Sequence, residues 1–234
     1  MRLWFFLLGC LAFLAACNWT LYQQSEVGTL EGSVAVFWVG EGSPKYGDGE
    51  FVLLTPPDAP LTFTRPDSAG GAIIEPDMIY VDGGTIPKFA QMFKGLSPWG
   101  YAHAYMVHDW LFVARKCVND GEATDYQRRI VEDMEFEDQA RVIAEVIKTM
   151  IAQKMVAPND VAPFAITSAV QSPVSRALWE ERGACARNQI SDEHIARIEA
   201  AFPGITGRRG AALALDKRAV TPANLIGFFD YKAK

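Results

Sequence analysis

Between Pro98 and Cys117 the chain runs Pro-Trp-Gly-Tyr-Ala-His-Ala-Tyr-Met-Val-His-Asp-Trp-Leu-Phe-Val-Ala-Arg-Lys-Cys, and no other stretch restricts the fold as tightly. From Ala102 to Ala114 only His103, His108 and Asp109 carry groups that ionise near or below neutrality, and nearly everything else is apolar or aromatic. A surface helix shows one apolar stripe, whereas a helix that is apolar all round has to be covered on every side. The stretch therefore predicts a buried helix with His108 and Asp109 inside the protein. Buried charge is costly unless it is paired, hydrogen-bonded or bound to a metal. These two side chains define a candidate site.

Upstream of this helix lie four short runs rich in β-branched and aromatic residues: Ser33 to Val39, Phe51 to Leu54, Leu61 to Thr64 and Met78 to Val81. Glycine, proline and aspartate cluster between them, so residues 33 to 81 read as a small antiparallel sheet. Asp82-Gly83-Gly84-Thr85 ends its last strand. Two adjacent glycines permit backbone conformations closed to other residues, so carbonyls there can be aimed at a ligand. The same residues also make an ordinary strand-to-helix turn capped by Thr85.

Downstream, Asn119-Asp120-Gly121 reads as the stop of the buried helix. A second helix is expected from Thr124 to about Lys154, with Phe136, Ala140, Ile143, Ile147 and Ile151 as its apolar stripe. Extending that stripe backwards puts Asp133 on the inward face. A short connection makes the two helices antiparallel neighbours, so Asp133 would meet His108, or else pair with Arg129 one turn away. Beyond Pro158 the pattern gives shorter helices: a capped one from Ser191 to Phe202, and a last one starting at Thr221-Pro222 and running through Phe229. His194 reads as a solvated residue.

The ends and the cysteines indicate a compartment. Arg2 precedes an unbroken hydrophobic segment from Leu3 to Ala16, too short for a membrane span and suited to a signal peptide. Its ending, Leu14-Ala15-Ala16-Cys17, resembles the lipobox of bacterial lipoproteins. That resemblance implies cleavage before Cys17, lipid (palmitate among it) on Cys17, and export. Asn18 rather than Asp after the lipid favours the outer membrane. Residues 17–30 then read as lipidated cysteine and tether, with a single globular domain over 31–234. Cys117 and Cys185 remain: a disulfide that would contribute about 4 kcal/mol in the chain-entropy model, or two separately buried thiols. A net charge of −6 and a pI near 5.1 argue against a nucleic-acid partner.

Three motifs in order, Asp82-Gly-Gly-Thr-Ile-Pro87, His108-Asp109-Trp-Leu-Phe112 and Asp133-Met-Glu-Phe136, resemble domain-of-unknown-function family 1353 of phages and proteobacteria. The likeness covers roughly residues 50 to 155 and implies no activity. Here Val81, Gly84-Thr85, Phe112 and Glu132 depart from its pattern. A second likeness is to secreted phospholipases A2. Carried over, it implies His108 as general base, Asp133 fixing its tautomer, and Asp109 with the carbonyls of Gly83 and Gly84 holding calcium, beside Asp82. The chain lacks the disulfide array of the animal enzymes and their glycine-loop pattern. Phosphohydrolases of the HD type are a poorer match, because His103 lies on a different side of the helix from His108.

The sequence thus predicts an α+β domain in which a small antiparallel N-terminal sheet packs on an antiparallel pair of long helices, with further short C-terminal helices. Its function is either metal-assisted (calcium) acyl-ester hydrolysis or a non-catalytic role as envelope scaffold or phage-derived surface protein, with the cluster as a structural network. The membrane, through the lipid, is the one partner implied.

Overall fold

A computed structural model describes residues 21–40, 49–81, 100–158, 161–207 and 220–231. The fold is α+β. Strand β1 (Thr29–Gly40) is its axis, because it is hydrogen-bonded along both edges. One edge pairs antiparallel with β2 (Glu50–Leu54) and, further towards its start, with β3 (Thr62–Thr64). Short strands β4 (Ile73–Ile74) and β5 (Ile79–Val81) extend the sheet beyond β3 and β2, giving the order β4-β3-β1-β2-β5. The other edge of β1 takes β6 (Asn224–Tyr231), with Gly32 opposite Tyr231 and Trp38 opposite Asn224.

Strand β6 overturns the expected last helix. Thr221-Pro222 has the composition of a helix start, but Asn224 to Tyr231 mixes Gly227 with two phenylalanines and a leucine-isoleucine pair, residues that suit a pleated surface better. What decides between the two is the open edge of β1, which only the fold supplies.

The unbroken apolar run of β1 has a physical reason. Val34 and Val36 face a core shared with Leu53, Phe63, Ile79 and the long helices, while Ala35, Phe37 and Val39 face a second core with Val52, Leu54 and Ile198. A strand covered on both faces loses the polar half of the usual alternation.

Helix α1 (Ala102–Asp120) is buried from Tyr101 to Cys117 on most sides, as its composition demands. It ends at Gly121 with φ of 76°, where the amide of Glu122 donates to the Cys117 carbonyl 2.9 Å away. The expected second helix is two helices. α2 (Asp125–Val131) is capped by Thr124, whose hydroxyl accepts from the Gln127 amide at 3.1 Å. α3 (Phe136–Ala152) starts afresh at Glu135, whose amide donates to Asp138 Oδ2 at 3.3 Å. The break between them is a turn containing Asp133. The antiparallel arrangement holds: His108 meets Gln139, and seven residues further along α1 the Arg115 guanidinium donates to the carbonyls of Val131 and Glu132.

Helices α4 (Val161–Ala169), α5 (Pro173–Trp179) and α6 (Asp192–Ala201) follow, α6 covering the outer face of β1. Cys117 is bonded to Cys185, with Cα atoms 4.5 Å apart. The joint is reinforced by Asp120, whose carboxylate accepts from the amides of Gly183, Ala184 and Cys185. Arg65 clamps the sheet to α3 through two 2.8 Å bonds to the buried Glu145 carboxylate. Residues 21–28, expected to belong to a tether, instead lie against α3 and β3, and Thr29 and Leu30 are already part of β1.

Candidate functional site

His108 is placed by the buried face of α1 and is 5% exposed. Its Nδ1 lies 2.8 Å from Asp109 Oδ1, and its Nε2 lies 2.6 Å from Gln139 Oε1. The Gln139 amide group is fully buried and donates to the Val170 carbonyl at 2.8 Å. That last bond fixes the orientation of the amide, since a flipped group would set two carbonyl oxygens against each other. Gln139 therefore presents an acceptor, and His108 Nε2 carries a proton and donates it. The Nδ1 to Oδ1 contact then needs a second proton between ring and carboxylate. The pair is an imidazolium beside a carboxylate, or its neutral tautomer, and in either form no ring lone pair faces solvent or a substrate. Phe112 packs on the His108 ring with centroids 5.0 Å apart, and Trp179 packs in turn on Phe112 at 5.1 Å.

Asp133 takes no part in this cluster. It is exposed in the turn between α2 and α3, so its expected inward place and its role beside His108 are overturned. The cause is local: Glu135 restarts the helix at Phe136, and a periodicity carried backwards across a cap points nowhere. Gln139 occupies the role instead. Its signal was present, because it stands three residues after Phe136 and next to Ala140, within the inward stripe, as a polar residue that has to find a partner there.

Asp109 is half-buried and shares its face of α1 with Tyr105, one turn earlier. Burial first, then the charge of Asp109 and the neighbouring Tyr101, hold the Tyr105 hydroxyl well above its ordinary range. Of the foreseen calcium ligands, Asp109 is the one described, and its Oδ1 is already bonded to His108. Asp82, Gly83 and Gly84 lie outside the described residues, as does Cys17. Calcium takes six to eight oxygens; among the described residues no group of three or more His, Cys, Asp or Glu side chains could hold a metal ion.

His103 points the other way, beneath the seam of β1 and β6, beside the backbone of Gly32 and Phe229 and the charge of Asp230. His194 is not simply solvated: its Nδ1 lies 2.9 Å from the Tyr80 hydroxyl, which also accepts from the Ser191 amide. No helix among the described residues is long and apolar enough to cross a membrane. No family model, curated protein or solved structure matches the chain.

Proposed function

We propose that the chain is an exported outer-membrane lipoprotein, held by lipid on Cys17 and facing the periplasm, that acts as a non-catalytic scaffold or interaction protein with His108, Asp109 and Gln139 as an internal clamp. The observation that carries this reading is the closure of the His108 ring. A general base needs an unprotonated nitrogen within reach of the proton it removes, and both nitrogens here are committed inside the protein. A fully satisfied polar network of this kind fixes the mutual position of two helices. The bridge between Cys117 and Cys185 supports an oxidising compartment.

The test is hydrolysis of phosphatidylglycerol in mixed vesicles by the full-length lipidated protein and its His108→Gln variant, with millimolar calcium. Both proteins are expected at the no-protein background, with the variant less stable to urea and neither stabilised by calcium. Turnover that disappears in a folded His108→Gln protein would restore the calcium-assisted acyl-ester hydrolase in place of the scaffold.

A further inference from the structure

The first described residues are fastened down rather than loose. Lys148 on α3 donates to the carbonyls of Gln23 and Ser25, at 2.8 and 2.6 Å, and its ammonium lies 5.2 Å from the centre of the Tyr22 ring. Ser25 is buried, its hydroxyl donating to the Leu21 carbonyl at 2.9 Å. The Gly28 amide donates to the Thr149 hydroxyl at 2.9 Å, and a Cβ built on Gly28 would stand 2.2 Å from the Thr64 carbonyl. Residues 21–28 thus belong to the folded body.

Cys17 precedes Leu21 by four residues. Four residues span at most about 14 Å when fully extended. The headgroup layer on one side of a bilayer is itself roughly 5 to 8 Å deep. A lipid on Cys17 therefore keeps Leu21 within about 14 Å of the acyl chains, so the folded body stays close to the headgroups.

The sheet indicates which surface is presented. Thr29 pairs with Thr64 and Thr64 with Ile73, and this row points outward. The next row, Leu30, Phe63 and Ile74, is wholly buried. Ile73 in the outward row is 50% exposed, and so is Val27, two residues before Thr29. Tyr126 and Arg129 stand beside this row, the Tyr126 hydroxyl donating to the Ile73 carbonyl at 3.4 Å and the guanidinium lying over the Tyr126 ring. Isolated apolar residues flanked by an aromatic hydroxyl and a cation suit the boundary between headgroups and acyl chains. The exposed pair Val174 and Leu178 on α5 lies elsewhere: Arg176 of that helix pairs with Glu137, which precedes Lys148 by eleven residues, about 16 Å along α3.

We infer that the outer face of the β3-β4 end of the sheet, with Val27 and Ile73 foremost, is the surface this protein lays on the lipid bilayer. The inference rests on the lipid-anchor reading above and adds an orientation to it: α5 points away from the membrane, towards the periplasm.

The test uses full-length lipidated protein in phosphatidylethanolamine and phosphatidylglycerol vesicles, carrying one nitroxide at a time through Val27→Cys, Ile73→Cys, Val174→Cys or Ile226→Cys. The native pair Cys117 and Cys185 is bonded and takes no label. Collision with a water-soluble nickel chelate is measured for each label on vesicles and in a soluble form beginning at Asn18, which lacks Cys10 and Cys17. Labels at 27 and 73 are expected to lose about fivefold or more of their accessibility on vesicles, with 174 and 226 unchanged. A Gly-Ser insert of about twenty residues before Leu21 should restore the accessibility. Equal accessibility at 73 and 174 on a lipidated, vesicle-bound protein would overturn the orientation while leaving the anchor intact. So would protection at 226 instead, protection already present in the soluble protein through self-association, or protection that survives the insert. A mature protein whose mass shows no lipid on Cys17 would overturn the anchor and the orientation together.

Discussion

Acid should loosen this protein through one side chain before its carboxylates titrate. His103 is 4% exposed beneath the seam of β1 and β6. Burial pulls its ring from an ordinary 6.5 down to about 4, and the backbone of Gly32 and Phe229, with the charge of Asp230, offsets only part of that. Between those two values the native state binds fewer protons than the unfolded chain. The stability is therefore complete above 6.5 and is lost progressively as pH falls towards 4. With each unit worth about 1.4 kcal/mol, the loss is about 2 kcal/mol by pH 5 and approaches about 3 kcal/mol at the lower limit. Asp120, Glu181 and Glu199, all held below their ordinary values of 3.8, 4.5 and 4.5, add their losses at lower pH. The perturbation is His103→Phe, which keeps a ring of similar size and abolishes the titration. Its own cost is independent of pH, so the comparison is one of slopes. Urea unfolding of both proteins at about pH 7.5 and about pH 5 should show the wild type losing about 2 kcal/mol more than the variant. Parallel losses in the two proteins would refute the reasoning, because His103 would then be no more buried from protons in the fold than in the unfolded chain.

Gln139→Leu should cost about 1 to 3 kcal/mol in urea unfolding, since it strands the His108 N–H and the Val170 carbonyl, whereas Asp133→Asn in its exposed turn should stay within about 0.5 kcal/mol of wild type. Arg65→Ala leaves the buried Glu145 carboxylate without its bidentate partner and is expected to cost about 3 to 5 kcal/mol by the same measurement. Replacing both Cys117 and Cys185 by Ser opens a loop with a sequence separation of 68 and should lower stability by about 4 kcal/mol, read as a fall in the urea midpoint with little change outside the loop from 180 to 188 in hydrogen exchange.

The sequence was most informative where the determinants are local. The apolar character of Ala102 to Ala114 implied a helix covered on all sides, and Thr124, Ser191 and Gly121 marked helix ends through bonds to their own neighbours. The stripe from Phe136 to Ile147 lies inward as its spacing requires, and it failed only when extended across the cap at Glu135 to Asp133. Strand β6 was illegible because its identity depends on the vacant edge of a strand near the other end of the chain. The partner of His108 was half legible: the burial of the ring followed from composition, but choosing between Asp133 and Gln139 needed the helix break. Glu145 gave less warning still, since a glutamate on a helix ordinarily faces water, and only Arg65 arriving from the sheet makes its burial tolerable.

Strand β1 also sets the order of events in making the protein. Its second edge is closed by residues as remote as Asp230, which accepts from the Ser33 hydroxyl 197 positions away. The chain must be synthesised as far as Tyr231 before this central strand can be finished, and pairings between such distant segments form slowly. A nascent chain is thereby kept from locking early. The same dependence means that losing Asn224–Tyr231 would unroof β1 itself and leave its backbone open to foreign strands.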